Sequence, residues 1–160
     1  MQDQRDSPGV VILPPLLIVL ALLVVGALHW LWPLPISTRP VAVAVGIVLS
    51  VLGIGLAEWG RRTLVNGGTN VSPLKPTTAI VFAGPFRFTR NPLYVGVMSL
   101  FLGLSLAIGT WWGFFVIVPV FFMLHHGVIL REERYLERKF GDDYLNYKKQ
   151  VSRYGWFRKK

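Results

Sequence analysis

The stretch GPFRFTRNPLYVG, residues 84 to 96, brings together side chains that can bind a small polar ligand. Arg87 and Arg90 carry positive charges, and Asn91 offers an amide that both donates and accepts hydrogen bonds. Pro92 suits the first turn of a helix, whose free backbone N–H groups can bind an anion such as a carboxylate. Tyr94 offers a hydroxyl group and a ring face that attracts cations. We expect a ligand site here, with Arg90 and Tyr94 as candidate catalytic residues.

The alternative for these residues is anchoring at a membrane surface. Arginine side chains bind phosphate headgroups, and this role is favoured for Arg87. For Arg90 both roles stay open. Tyrosine is common at the membrane–water interface, and such a position is the alternative for Tyr94.

A pair of carboxylates, Glu132 and Glu133, begins the C-terminal tail. Apolar residues recur behind the pair at helical spacings of four, four, three and four. Stepping this stripe back four residues reaches Glu132, which should therefore point toward the protein. Glu133 lies about 100° further round the helix and is expected to face water or to pair with Arg134 or Arg138. The stripe consists of Leu136, Phe140, Tyr144, Tyr147 and Val151.

An inward carboxylate requires a partner, because burying an unpaired charge is costly. For Glu132 one candidate partner is an arginine of the preceding loop, Arg87 or Arg90. The other is a ligand that carries hydroxyl or ammonium donors. The residues alone leave both open.

His126, beside His125, is a further candidate for catalysis, as a proton acceptor for an amine substrate. The chain has three histidines, and no metal site is expected.

The composition indicates a membrane protein. Of 160 residues, 52% are hydrophobic and 16% are charged, and mean hydropathy is +0.49; soluble domains carry about 25% charged residues. The net charge of +9 is attributed to basic loops on the cytosolic side and attraction to anionic lipids, and nucleic acid is not an expected partner. The chain has no cysteine, which excludes disulfides and thiolate nucleophiles.

The pattern of apolar runs predicts an all-α, polytopic fold with four transmembrane helices in one domain, residues 1–160. The predicted helices are about 10–32, 40–59, 93–108 and 111–129, with a loop at 61–92 and a helical tail at 130–153. Residues 93–130 contain no Lys, Arg, Asp or Glu, and 38 helical residues would extend about 57 Å. One membrane crossing needs only about 20 residues, so a turn is expected at Gly109-Thr110. Small residues predict close packing, namely Gly46, Ser50 and Gly53 on one helix and Ser99, Gly103 and Ala107 on another.

Charge sets the expected orientation. The loop and the tail are rich in Lys and Arg, whereas the other two connections hold only Arg39. Both basic segments should therefore be cytosolic, together with both termini. The expected location is the inner membrane of a bacterium or archaeon, and the loop and tail together should form the cofactor pocket.

GPFRFTRNPLYVG, a helical hairpin and REERYLERKFGDDYLNYKKQV together resemble the isoprenylcysteine carboxyl methyltransferase family and its phospholipid N-methyltransferase relatives, over roughly residues 61–153. The resemblance implies a small membrane enzyme that uses S-adenosyl-L-methionine. Asn91-Pro92 stands where the isoprenylcysteine enzymes have His-Pro, and asparagine does not titrate near pH 7. The implied cofactor contacts are Thr78, Ala79, Ile80, Val81, Phe86, Asn91, Pro92, Leu93, Tyr94 and Glu132. Glu133 is a further candidate for cofactor binding.

The expected function is therefore methyl transfer to a lipid-like or membrane-soluble acceptor, a carboxylate or an amine, at the cytosolic membrane face. One alternative is an NADPH-dependent membrane reductase of the steroid-reductase type, whose C-terminal region looks similar. Another is a non-enzymatic four-helix transporter or scaffold. A proton-coupled carrier is expected to hold a carboxylate at mid-membrane, and Glu58 lies near a helix end.

Overall fold

A computed structural model describes residues 6–155, and within that range the chain is helical, with no strand. A single 3-10 turn, Gly84–Arg87, lies in the loop after α2, and a π-helical turn, His125–Ile129, follows α4. The helices are α1 Pro14–Leu31, α2 Arg39–Asn66, α3 Pro92–Ile108, α4 Trp112–Leu124, α5 Leu130–Phe140 and α6 Asp142–Gln150.

Glycines bring α2 and α3 into backbone contact. A Cβ atom on Gly46 would lie 2.5 Å from the carbonyl oxygen of Gly103, and one on Gly53 would lie 2.6 Å from that of Gly96. Real Cβ atoms essentially never approach so closely, so only glycine fits at these positions. The two predicted stripes of small residues therefore pack against each other. Close contact of this kind holds helices together in lipid, where no hydrophobic force acts between them.

Helices α1 and α4 contact α3 and each other. Leu17, Ala21 and Val25 of α1 meet Phe101 of α3 and Leu124 of α4 in one apolar core. The outward faces stay apolar and exposed, for example Leu23 at 65% and Leu52 at 63%. An exposed apolar surface on most helices is the pattern of a lipid-facing bundle.

Three described helical stretches are long and apolar enough to cross a membrane: Pro14–Leu31, Arg39–Asn66 and Trp112–Phe140. The predicted third span is present as α3, an apolar helix of 17 residues. At 1.5 Å per residue it extends about 26 Å, somewhat less than the hydrocarbon core of about 30 Å. Three helices of spanning length are thus shown, and four crossings stay a prediction.

The connections lie at opposite ends of the bundle. At one end the link after α1 meets the turn after α3: the Ile36 N–H donates to the Gly109 carbonyl and the Trp111 N–H to that of Leu34, both at 3.0 Å. Gly109 ends α3 with a φ of 78°, which confirms the predicted turn. At the other end the loop after α2 meets the C-terminal tail, as the charge pattern predicts.

One predicted boundary, the end of the second helix, is wrong. Helix α2 does not end at 59 but continues to Asn66, because Glu58 pairs with Arg61 and Arg62 on the exposed helix surface and these charges do not interrupt it. The helix ends instead at Gly67, and Gly68 adopts a φ of 72°. The helical tail begins at Leu130, as predicted, and the π turn joins α5 to α4 without a break.

The predicted apolar stripe of the tail is confirmed. Tyr144, Tyr147 and Val151 form a buried cluster, against which Leu136, Phe140 and the loop residue Ile80 pack. Gly141, with a φ of 53°, separates α5 from α6. The stripe therefore fixes the tail onto the loop, and these two segments build the site described below.

We predict that Gly53→Ala destabilises the protein, whereas Gly55→Ala on the same helix does not. The new methyl group at position 53 would force α2 away from α3, at a cost of about 1–3 kcal/mol. A Cβ atom at Gly55 meets nothing within 4 Å. Unfolding in detergent micelles, followed by tryptophan fluorescence, measures both variants. Equal midpoints for the two would contradict the close crossing.

Candidate functional site

A cavity opens where the loop and the tail meet at the end of the bundle. Its walls come from the end of α2, the loop, the start of α3, α5, α6 and Pro8. The structure thus places most of the predicted site residues around one space. The predicted residues that line it are Ala79, Ile80, Val81, Phe86, Arg90, Asn91, Pro92, Leu93, Tyr94, Glu132 and Glu133.

A hydrogen bond links the two sequence motifs across this cavity. The Tyr94 hydroxyl, in the first turn of α3, donates to Glu132 Oε1 on α5 at 2.8 Å. No salt bridge to Glu132 occurs among the described residues, so neither arginine suggested for it is its partner. A carboxylate has about four acceptor positions, and Tyr94 uses one of them. Glu132 can therefore accept further donors from a ligand in the cavity.

Glu133 does not face water, and the prediction that it would do so, or pair with Arg134 or Arg138, is wrong. It is 3% exposed and lies between two arginines. Arg153 holds it with two hydrogen bonds, of 2.9 and 2.7 Å, and Arg90 NH1 lies 3.1 Å from its Oε1. The apolar stripe of the tail marks only one face of α5 as covered. In the fold the chain beyond α6 covers a second face, and Glu133 points into it.

Arg90 has an N–H donor, at Nε, that forms no hydrogen bond with the described residues. Its side chain is 7% exposed, and its Nε finds no hydrogen-bond partner within residues 6–155. Buried polar groups in folded proteins are nearly always satisfied, so the unused Nε–H of a residue that lines the cavity is a candidate donor to a ligand. Burial raises the pKa of the nearby Tyr144 and Tyr147 hydroxyls above their usual range, so both stay neutral at physiological pH.

The start of α3 is open toward the cavity. Pro92 begins the helix, as predicted, and no side chain caps it. The Asn91 side chain instead donates to the Arg153 carbonyl oxygen at 3.2 Å. The first intrahelical hydrogen bond comes from the Val95 N–H. The N–H groups of Leu93 and Tyr94 precede it, and helix termini of this kind bind anions.

Two predicted residues lie away from the cavity. Thr78 does not line it, because its hydroxyl donates to the Gly68 carbonyl at 2.7 Å and its N–H to the Thr69 hydroxyl at 3.0 Å. His126 is exposed and lines a separate groove with Arg134 and Lys148. Its ring stacks near Phe122. The structure therefore does not bring His126 to the cavity that the other predicted residues line.

Sequence reasoning missed the N-terminal segment. Asp6 accepts hydrogen bonds from Tyr135 at 2.7 Å and from Lys139 at 2.8 Å, and the Tyr135 hydroxyl also accepts the Thr77 N–H at 3.1 Å. These contacts lay the segment across α5 and bring Pro8 to the cavity wall. No motif marks Asp6 or Pro8 in the sequence. Tyr144 and Tyr147, by contrast, belong to the apolar stripe predicted for the tail, which could have identified them as cavity residues.

Two comparisons relate the sequence of this chain to known proteins. An uncharacterized protein of Haemophilus influenzae is 45% identical over 56 residues, which is 35% of this chain and 79% of that protein. Residues 41–143 match the sequence model of the family described as "Phospholipid methyltransferase". This match includes the arginine and asparagine motif, the Tyr94–Glu132 pair and Glu133. The chain, with its apolar helices and its cavity at one end of the bundle, belongs to the phospholipid methyltransferase family.

Proposed function

We propose that this protein transfers a methyl group from S-adenosyl-L-methionine to a lipid-like acceptor at the cytosolic face of a membrane. The acceptor carries an amine or a carboxylate as its nucleophile. Membership of a methyltransferase family and the presence of three helices of spanning length support this proposal. They give no support to an NADPH-dependent reductase or to a transporter.

The observation that carries the proposal is the Tyr94–Glu132 hydrogen bond of 2.8 Å. It joins residues 38 positions apart, one from each motif of the family resemblance, beside one cavity. A purely structural tyrosine–carboxylate pair needs no open space next to it. Here both partners line the cavity, which suits a site that holds a ligand.

The chemistry of the cavity walls fits the cofactor part by part. Glu132 offers acceptor positions for an ammonium group or for ribose hydroxyls. Arg90 and the open start of α3 offer donors for a carboxylate. Ile80, Phe86 and other apolar residues of the wall can pack against the faces of an adenine ring. The site therefore offers a complement for each chemical part of this zwitterionic, partly aromatic molecule.

When bound, S-adenosyl-L-methionine supplies a sulfonium methyl group, and the group that leaves is a neutral thioether. No acid is needed for such a leaving group, so the contribution of the protein is alignment and removal of water. Tyr94 can place its ring face toward a cation while its hydroxyl is held by Glu132. The cavity lies where the apolar bundle meets the polar loop and tail, which suits a polar donor and an acceptor that stays in the bilayer.

Binding of S-adenosylhomocysteine tests the cofactor directly. We expect the purified protein in detergent or nanodiscs to bind it in a calorimetric titration and not to bind NADPH. Radiolabelled S-adenosyl-L-methionine should then label a component of the organic phase when a total lipid extract is supplied, and mass spectrometry identifies the labelled acceptor. Binding of NADPH without binding of S-adenosylhomocysteine would overturn the proposal.

Replacing the two glutamates separately should give different phenotypes. Glu132→Gln removes a charged acceptor that faces the ligand, and we expect it to raise the Kd of S-adenosylhomocysteine by about 100-fold with little effect on stability. Glu133→Gln weakens the pairing with two arginines and should lower the unfolding midpoint, while raising the Kd by about tenfold. Calorimetry and thermal unfolding on the same samples measure both. Undiminished binding by the Glu132→Gln protein would reject the assigned site.

Truncation of Tyr94 should separate the roles of its ring and its hydroxyl. Tyr94→Phe keeps the ring and loses one hydrogen bond to a charged group, worth about 1.5–3 kcal/mol. Tyr94→Ala removes the ring as well and should reduce kcat/KM further, by about another tenfold. Initial rates of methyl transfer to the identified acceptor measure the series. If the two variants are equally impaired, the ring does not contribute.

A further inference from the structure

Residues 151–155, which we term the C-terminal clasp, follow α6 and return to the start of α3. They lie beyond residues 41–143, the part of the chain that matches the family. Val151 is buried, and its N–H donates to the Tyr147 carbonyl at 3.0 Å. The Tyr154 hydroxyl lies 2.5 Å from His125 Nδ1 in the π turn. The clasp is thus attached at both ends to the body of the protein.

Three consecutive residues just before α3 donate hydrogen bonds to backbone carbonyl groups of the clasp. The Thr89 hydroxyl donates to the Arg153 carbonyl at 2.8 Å, and the Asn91 side chain donates to the same oxygen at 3.2 Å. Between them, the Arg90 N–H donates to the Ser152 carbonyl at 3.0 Å. The backbone of the clasp therefore sets the position of the segment from which α3 begins.

The Arg153 side chain also binds one of the two adjacent glutamates, Glu133. Its Nε and NH2 donate to both oxygens of Glu133, in a two-point contact that fixes the orientation of the carboxylate. Glu133 in turn lies 3.1 Å from Arg90 NH1, so the order of charges is Arg153, Glu133, Arg90. The hydrogen bond to Glu133 raises the pKa of Arg153, which stays charged at every working pH.

We propose that Arg153 is a positioning residue of the cofactor site. Its guanidinium holds Glu133, Glu133 holds the Arg90 side chain, and the Arg153 carbonyl holds Asn91. The start of α3 and α5 are then kept at the spacing across which Tyr94 reaches Glu132. The effect on cofactor affinity rests on the function proposed above, whereas the ordering of residues 89–95 does not.

The test uses Arg153→Gln, Arg153→Lys, Glu133→Gln and the double variant Arg153→Gln/Glu133→Gln in the full-length protein. Arg138→Gln is the matched control, because Arg138 is an exposed arginine on the same helix as Glu133. Calorimetry measures the Kd of S-adenosylhomocysteine at a temperature below every unfolding midpoint. Hydrogen–deuterium exchange of the ligand-free proteins measures the ordering of residues 89–95.

We expect Arg153→Gln to raise the Kd by about tenfold, Arg153→Lys to recover part of this loss, and Arg138→Gln to bind like the wild type. The double variant should bind no more weakly than Glu133→Gln alone, because Arg153 acts through that carboxylate. In Arg153→Gln, residues 89–95 should exchange faster while α1 and α2 exchange at the wild-type rate. A simple loss of global stability would not give this combination.

Three results would overturn the inference: unchanged exchange at residues 89–95 in Arg153→Gln, faster exchange spread equally over α1 and α2, or losses of affinity that multiply in the double variant. If the wild type itself fails to bind S-adenosylhomocysteine, the proposed function is wrong. The exchange measurement then still decides whether Arg153 orders the start of α3.

Discussion

A carboxylate removed from water is tolerated only where positive charges and hydrogen bonds replace its solvation, and Glu133 is such a group. It is 3% exposed and is held by Arg153 from the C-terminus and Arg90 from the loop. Three segments distant in sequence must therefore converge on one point, and the loop, α5 and the clasp cannot move independently. The loop and α5 line the cavity, and the clasp holds both of them, so the shape of the cavity depends on this buried set of charges.

The bundle supplies a second constraint of a different kind. In lipid no hydrophobic force drives apolar helices together, so the crossing of α2 and α3 depends on close backbone contact at glycine residues. Gly60 continues this contact to the cavity end, where an added Cβ would lie 2.6 Å from Leu93 Cδ1. Leu93 lines the cavity. The membrane part of the fold thus fixes the wall that Leu93 forms, and the buried charges fix the part of the wall that Arg90 and Glu133 form.

Much of the fold could be predicted because membrane helices are recognised by their apolar composition and by the periodic spacing of small residues. The turn at Gly109, the glycine stripes and the apolar stripe of the tail are all local patterns. The predicted second helix stops at 59, just before Arg61 and Arg62, whereas α2 continues past them because paired charges on an exposed helix face do not stop a helix. The environment of Glu133 could not be predicted, since it depends on a segment 20 residues further along the chain.

The adjacent glutamates show why type and spacing alone do not assign roles. Both residues sit in the same turn of α5, yet Glu132 accepts a hydrogen bond from a neutral tyrosine whereas Glu133 lies between two arginines. Glu132 has acceptor positions to spare for a ligand, and Glu133 has its charge matched within the protein. In the proposed function Glu132 is the carboxylate that contacts the cofactor. Glu133 offsets part of the positive charge of Arg90 and Arg153, which would otherwise repel the sulfonium more strongly.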